Sequence, residues 1–105
     1  MQLRFAFVYI CPESNPEKHR ATIETPGISM TFVATKDYAE AVNICRKLVK
    51  DGVQAIELCG GFGPIGASKV IEAVGEKVPV GFVCFGCESV EKYTNILKKI
   101  REVQK

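Results

Sequence analysis

The sequence predicts an α/β protein, a small three-layer sandwich built on a mostly parallel four-stranded sheet. Two observations predict this class. Apolar runs rich in β-branched and aromatic residues recur along the chain, and between them lie stretches whose apolar residues follow helical spacing. Strands that alternate with helices are joined by right-handed crossovers, which make the strands parallel and place the helices against the sheet. The 105 residues are expected to form a single domain, residues 1–105.

Four segments have the composition of strands: residues 5–10, 28–34, 53–59 and 78–85. The first is apolar at nearly every position, which is typical of a strand covered on both faces. We predict the strand order 2-1-3-4, because doubly wound sheets form a crevice where the order reverses. An open half of a barrel is the alternative. Between the first two strands, Asn15 is predicted to cap a short helix that begins at Pro16, and Thr25 begins a turn.

The predicted helices have recognisable ends. Asp37 followed by Glu40 resembles a capping box, and Gly52 stands where a left-handed C-terminal cap is expected. Gly75 ends a second helix over residues 64–74, and Ser89 caps a last one. The apolar stripe of the first helix consists of Tyr38, Ala41, Val42, Cys45, Leu48 and Val49.

Composition and charge restrict the class of partner. Apolar residues make up 47% and charged residues 25% of the chain, as in ordinary soluble domains. A formal charge of +2 is too small to indicate nucleic-acid or membrane binding. The apolar run before Pro12 is too short for a signal peptide, and five cysteines favour reduced thiols in the cytoplasm. The last basic residues are expected on a solvated helix face: Lys92, Lys98, Lys99, Arg101 and Lys105.

A glycine-rich turn between the third strand and the second helix is the strongest candidate site. Gly60, Gly61 and Gly63 can present backbone N–H groups to an anion at the start of a helix. The spacing from Gly61 to Gly66 also matches a dinucleotide fingerprint. That fingerprint needs an acidic residue after the next strand, where this chain has cysteines. A smaller phosphate- or carboxylate-bearing metabolite is therefore favoured over a dinucleotide, and a purely structural tight turn is the alternative.

Four further side chains are candidates at this edge of the sheet. Glu57 is expected on a strand covered on both faces, so its carboxylate is either a general acid or base, or a structural acceptor for loop amides or Arg20. Cys59 precedes the helix, whose dipole favours a nucleophilic thiolate; a small core residue is the alternative. His19 and Arg20 could neutralise a bound anion, or they could lie in a solvated turn.

The pair Cys84 and Cys87 has the spacing of half a zinc site and of a redox dithiol. A zinc site would need ligands from Cys59, Cys11 or His19 as well. Two unlinked thiols are the alternative interpretation. The remaining cysteine, Cys45, lies in the apolar stripe of the first helix and is predicted to belong to the core.

The block from Glu57 to Gly63, with the sequences around Pro16, Glu24 and Val78, resembles a family of short prokaryotic single-domain α/β proteins of unknown function. The resemblance implies the fold and a prokaryotic cytoplasm, and it implies no activity, substrate or cofactor. Our leading hypothesis is a binding site for a small anion at the glycine-rich turn. The others are a cysteine-based metal or redox module and a homo-oligomeric interaction protein whose helix faces form the contact.

Overall fold

The computed structural model describes residues 1–103, which form a five-stranded sheet and three α-helices. This confirms the α/β class and the mostly parallel sheet. A short 3-10 helix, Cys87–Ser89, precedes the last α-helix. In chain order the elements are β1 (Leu3–Ile10), β2 (Arg20–Glu24), β3 (Ile28–Thr35), α1 (Tyr38–Lys50), β4 (Ala55–Leu58), α2 (Gly63–Val74), β5 (Val80–Phe82) and α3 (Val90–Val103).

The sheet has the order β2-β3-β1-β4-β5, and only the β2–β3 pair is antiparallel. The four predicted strands keep their predicted relative order, and β2 is a fifth strand that the prediction missed. All five residues of β2 are exposed, so this edge strand has no alternation of buried and exposed side chains. The predicted short helix at Pro16 is only a turn. The Oδ1 of Asn15 accepts a hydrogen bond from the amide of Glu17 at 2.8 Å, as in a helix cap, but the chain becomes extended at Arg20.

The layers differ from the predicted sandwich because α1 and α2 lie on the same face of the sheet. The β3-α1-β4 and β4-α2-β5 crossovers run in the same direction across the sheet, and right-handed crossovers that do so place both helices on one face. The crossover from β1 to β3 runs the other way and contains β2 instead of a helix. Within residues 1–103, the opposite face therefore has no helix packed across it.

The core lies between the sheet and the pair α1–α2. Alternate residues of β1, Ala6 and Val8, are fully buried on this face, and Phe62 is among the largest fully buried side chains. Helices contribute small and branched residues to the same core: Ala41, Ile44, Cys45, Leu48, Ala67, Val70 and Val74. Burial on one face only explains the alternating exposure along β1.

Local signals at the ends of α1 are confirmed. The Asp37 side chain accepts a hydrogen bond from the Glu40 amide at 2.8 Å, and Glu40 accepts one from the Lys36 amide at 2.9 Å. Gly52 follows the helix with a φ of 104°, a conformation that favours glycine. The sequence therefore predicts where α1 begins and ends to within a residue or two.

The last helix, α3, lies near the carboxyl ends of β1 and β4, where its side chains line cavities with Ile10 and with Gly60. Tyr93 stacks on Phe85 with ring centroids 4.3 Å apart. None of its described residues is buried, and its apolar residue Ile96 is 52% exposed. Lys105, predicted on the solvated face of this helix, lies outside the described residues. No helix within residues 1–103 is long and apolar enough to cross a membrane.

Candidate functional site

The glycine-rich turn between β4 and α2 presents several backbone N–H groups without acceptors. The Phe62 amide donates to the Cys59 carbonyl at 3.1 Å, and the Gly66 amide donates to the Phe62 carbonyl at 3.0 Å. The remaining amides of the turn have no acceptor within the described chain, and they belong to Gly60, Gly61, Gly63 and Ile65. Unsatisfied amides at a helix N-terminus carry partial positive charge and can bind an anion.

These amides belong to residues that line a cavity of about 330 Å³. Its other walls are Tyr38 of α1 and Tyr93 and Leu97 of α3. The Tyr38 hydroxyl lies 3.2 Å from the Gly61 carbonyl oxygen and 3.1 Å from that of Phe62, so it donates to the loop from the α1 side. Tyr38 therefore holds the turn in place through the carbonyl groups of the turn and leaves the amides of the turn free to bind a ligand.

A second cavity, of about 230 Å³, adjoins the same turn and includes Cys84 and Phe85. The Phe85 ring lies so close to Gly60 that a Cβ at that position would be 2.9 Å from Phe85 Cε2. Gly63 has a φ of 58°, where a side chain would be strained. Glycine is thus favoured at two positions of the turn for different reasons, at Gly60 by the neighbouring Phe85 ring and at Gly63 by the backbone conformation.

Glu57 does not lie where the sequence predicts. It is exposed, since its strand β4 is covered on one face only and Glu57 points to the other. The expectation of a buried carboxylate is therefore wrong. Arg20 cannot be its partner, because three strand spacings, about 14 Å, separate β2 from β4. Glu57 is also not among the residues that line the two cavities at the glycine-rich turn.

Cys59 lies directly under the turn and is half-buried. Its Sγ accepts a hydrogen bond from the Ile10 amide at 3.3 Å, and its side chain packs against the core. A Cβ on Gly61 would lie 3.4 Å from this sulfur. Cys59 therefore links β1 to the turn, and its role as a nucleophile stays a prediction.

His19 and Arg20 lie at the β2 edge of the sheet, three strands away from β4 and the glycine-rich turn that follows it. The His19 Nδ1 accepts a hydrogen bond from the Asn15 amide at 2.8 Å, and Arg20 Nε donates to the Pro16 carbonyl at 2.8 Å. Arg20 lines a separate groove of about 750 Å³ beside α1, together with Lys36, Glu40 and Lys47. The structure thus does not bring His19 and Arg20 to the glycines.

The cysteines at the carboxyl edge are free thiols. Cys11, Cys84 and Cys87 are exposed, and Cys84 lines the smaller cavity beside the glycine-rich turn. Within residues 1–103, no three histidine, cysteine or acidic side chains come together as ligands for a metal ion. A metal or redox role for Cys84 and Cys87 stays a prediction. The remaining cysteine, Cys45, is a core residue, and burial raises the pKa of its thiol to about 12.

The aromatic walls were missed as site residues. The sequence places Tyr38 only in the apolar stripe of the first helix, and Tyr93 follows the same helical spacing in the last helix, yet both line the cavity at the turn. The signal that separates them from Leu and Val is the phenol, which needs a polar partner when it is partly buried. Tyr38 finds that partner in the loop carbonyls.

Residues 3–98, from the start of β1 into α3, match the model of a protein family, DUF6506, which is described as a family of unknown function. The chain belongs to the DUF6506 family. The match includes the glycine-rich turn and both of its cavities. No curated protein and no solved structure matches the chain. DUF6506 membership thus supports a shared architecture and carries no activity with it.

Proposed function

We propose that this DUF6506 protein binds a small metabolite with a phosphate or carboxylate group at the glycine-rich turn. One observation carries the proposal: the amides of Gly60, Gly61, Gly63 and Ile65 have no acceptor within the described chain and belong to residues that line one cavity. They stand at the N-terminus of the 12-residue helix α2, where the helix dipole favours negative charge.

The walls of the cavity restrict the class of ligand. No lysine, arginine or histidine is among the described residues that line it, so backbone amides would provide the recognition of charge. Tyr38, Tyr93 and Leu97 offer aromatic and aliphatic surface beside those amides. A volume of about 330 Å³ is at the lower end of ligand sites. The best fit is a small molecule with one anionic group and a flat or apolar body.

A direct test is amide NMR of the ¹⁵N-labelled protein titrated with inorganic phosphate and, separately, with benzoate. We expect saturable shifts of the Gly60, Gly61, Gly63 and Ile65 amides, larger for benzoate because its ring can contact the tyrosines. Leu97→Trp fills the cavity and is expected to abolish the shifts. Asn95→Trp adds the same bulk at an exposed position of α3 and should preserve them.

Two outcomes would count against the proposal. Shifts spread evenly over exposed amides would indicate non-specific ion effects. Shifts of the loop amides that survive in Leu97→Trp would place the anion outside the cavity. Native mass spectrometry of freshly purified protein complements the titration, because a co-purified small molecule would reveal the chemical class of the natural ligand.

The free cysteines favour a reducing setting for this function, and we propose a prokaryotic cytoplasm. All five thiols are unpaired, and three of them are exposed. Exposed thiols persist in reducing compartments and oxidise elsewhere. Recovery of the native protein with Cys84 and Cys87 joined in a disulfide, from cells lysed under alkylating conditions, would contradict this setting.

A further inference from the structure

The face of the sheet opposite α1 and α2 is apolar and aromatic. We call it the open face and define it by Leu3, Phe5, Phe7, Ile23, Met30 and Phe32. Strand register places these residues on one side, since Phe5 pairs with Met30, Phe7 with Phe32 and Met30 with Ile23. The Phe7 and Phe32 rings lie 6.1 Å apart, so the aromatic surface is continuous across β1 and β3.

The open face is exposed in the single chain. Ile23 is 56% and Leu3 39% exposed, and the other four side chains are partly exposed. Parallel sheets occur almost only with both faces covered, because water on an apolar strand face costs free energy. Of the described helices, only α1 and α2 pack extensively on strands, and they occupy the other face. The described helices therefore leave the open face without a cover.

We propose that a second copy of this chain covers the open face, in a two-fold symmetric dimer with its two sheets packed face to face. The area fits a small interface. Together with β4, which carries the rim residue Glu57, the two eight-residue strands β1 and β3 and the shorter β2 cover roughly 400 Å² in projection. Because side chains project from the sheet, the accessible area of the open face is larger than this projected area and approaches the roughly 800 Å² per partner that a standard interface buries.

The chemistry of the open face fits an identical partner. None of its six defining side chains is charged, and homodimer interfaces are more apolar than other protein contacts. A two-fold interface brings the same surface patch of both copies together, so an uncharged apolar centre is complementary to itself. Sheets that pack in this way lie about 10 Å apart with interdigitated side chains.

Glu57 marks the boundary of this surface. Its neighbours in the register are Phe7 on β1 and Gly81 on the edge strand β5. The carboxylate thus lies between the aromatic centre and the edge of the sheet, where the polar rim of an interface can keep it hydrated. This placement accounts for a charged residue on a strand face that is otherwise apolar.

The test is the solution mass of five proteins by light scattering and sedimentation: the wild type, Phe32→Glu, Ile23→Glu, Ile100→Glu on α3 and the control Ile71→Glu. Ile71 is 44% exposed on α2, on the far side of the molecule. We expect a wild-type dimer of twice 11.5 kDa that Ile71→Glu retains. A glutamate on the open face should weaken dimerisation at least 30-fold, since burying an unpaired charge is costly.

Three results would overturn the proposal. The first is a wild-type protein that stays monomeric over a roughly hundredfold concentration range, and the second is a dimer that survives both substitutions on the open face. The third is a dimer lost only in Ile100→Glu, because the contact would then be made by α3. Ile23 keeps the test decisive if Phe32→Glu does not fold, because Ile23 is an exposed edge-strand residue whose replacement leaves the core of the monomer unchanged.

Discussion

Replacing Gly66 with alanine would test how the glycine-rich turn is held. Gly66 is buried in the first turns of α2, and a Cβ there would lie 2.8 Å from Tyr38 Cε1 and 3.2 Å from Phe62 Cβ. The Tyr38 ring would have to move, and its hydroxyl would lose the carbonyls of Gly61 and Phe62. The substitution therefore affects the cavity wall and the turn together.

One stabilising effect and two destabilising effects set the magnitude. Alanine is better than glycine inside a helix by about 1 kcal/mol. Overpacking of a close contact costs about 1–3 kcal/mol, and loss of the tyrosine hydrogen bond costs about 0.5–1.5 kcal/mol. We expect Gly66→Ala to lower the free energy of unfolding by about 1–3 kcal/mol on balance. The sign is informative, because helix propensity alone predicts stabilisation.

Urea unfolding of a double-mutant cycle measures this balance. In a Tyr38→Ala background the ring is gone, so Gly66→Ala should cost much less or become stabilising, with a coupling of about 1–3 kcal/mol. Gly27→Ala is the control, because a Cβ there meets nothing within 4 Å. Additive effects of the two substitutions, or stabilisation by Gly66→Ala in the wild type, would refute the reasoning.

Three further predictions concern single residues. The Cys45 thiol, whose pKa burial raises to about 12, should resist iodoacetamide in the native protein while Cys84 is alkylated. Equal rates by peptide mass spectrometry would contradict this. The Ser29 hydroxyl, which donates to the Glu24 carboxylate at 2.8 Å, is the main cause of the lowered pKa of Glu24. Because the pKa is lower in the folded state, the contribution of Glu24 to stability is present above its unfolded pKa and is lost as the pH falls through the folded value. Ser29→Ala should raise the pKa of Glu24, and an unchanged value in an NMR titration would exclude this cause. Phe62→Ala removes a ring from a side chain that is 1% exposed, and the cavity that it leaves should lower the free energy of unfolding by about 3–5 kcal/mol. A loss below about 1 kcal/mol would contradict this, because the core would then have closed around the cavity.

Most of the fold was predictable because its signals are local. The cap at Asp37, the glycine at 52 and the glycine-rich turn after β4 each depend on a few adjacent residues. The apolar runs of the parallel strands are equally local. Strand β2 was not predictable in this way, since its five exposed residues are strand only through pairing with β3.

The composition of the site depended on long-range geometry. His19 and Arg20 do lie at the carboxyl end of β3, as the sequence suggested, but strand order separates β2 from β4, which Gly60 follows, by three strand spacings, about 14 Å. Helix packing brings Tyr38 and Tyr93 to the same cavity from different parts of the chain. A single sequence gives periodicity within each element, and periodicity does not specify which elements meet.

The sequence by itself thus determined the strands and helices of the parallel sheet and the position of the glycine-rich turn between β4 and α2. Only the tertiary structure decided that one face of the sheet is left open and that Glu57 lies on it. The physical reason is that the burial of a strand face depends on the direction of each crossover. Here the β1-to-β3 connection contains a strand where a helix was expected.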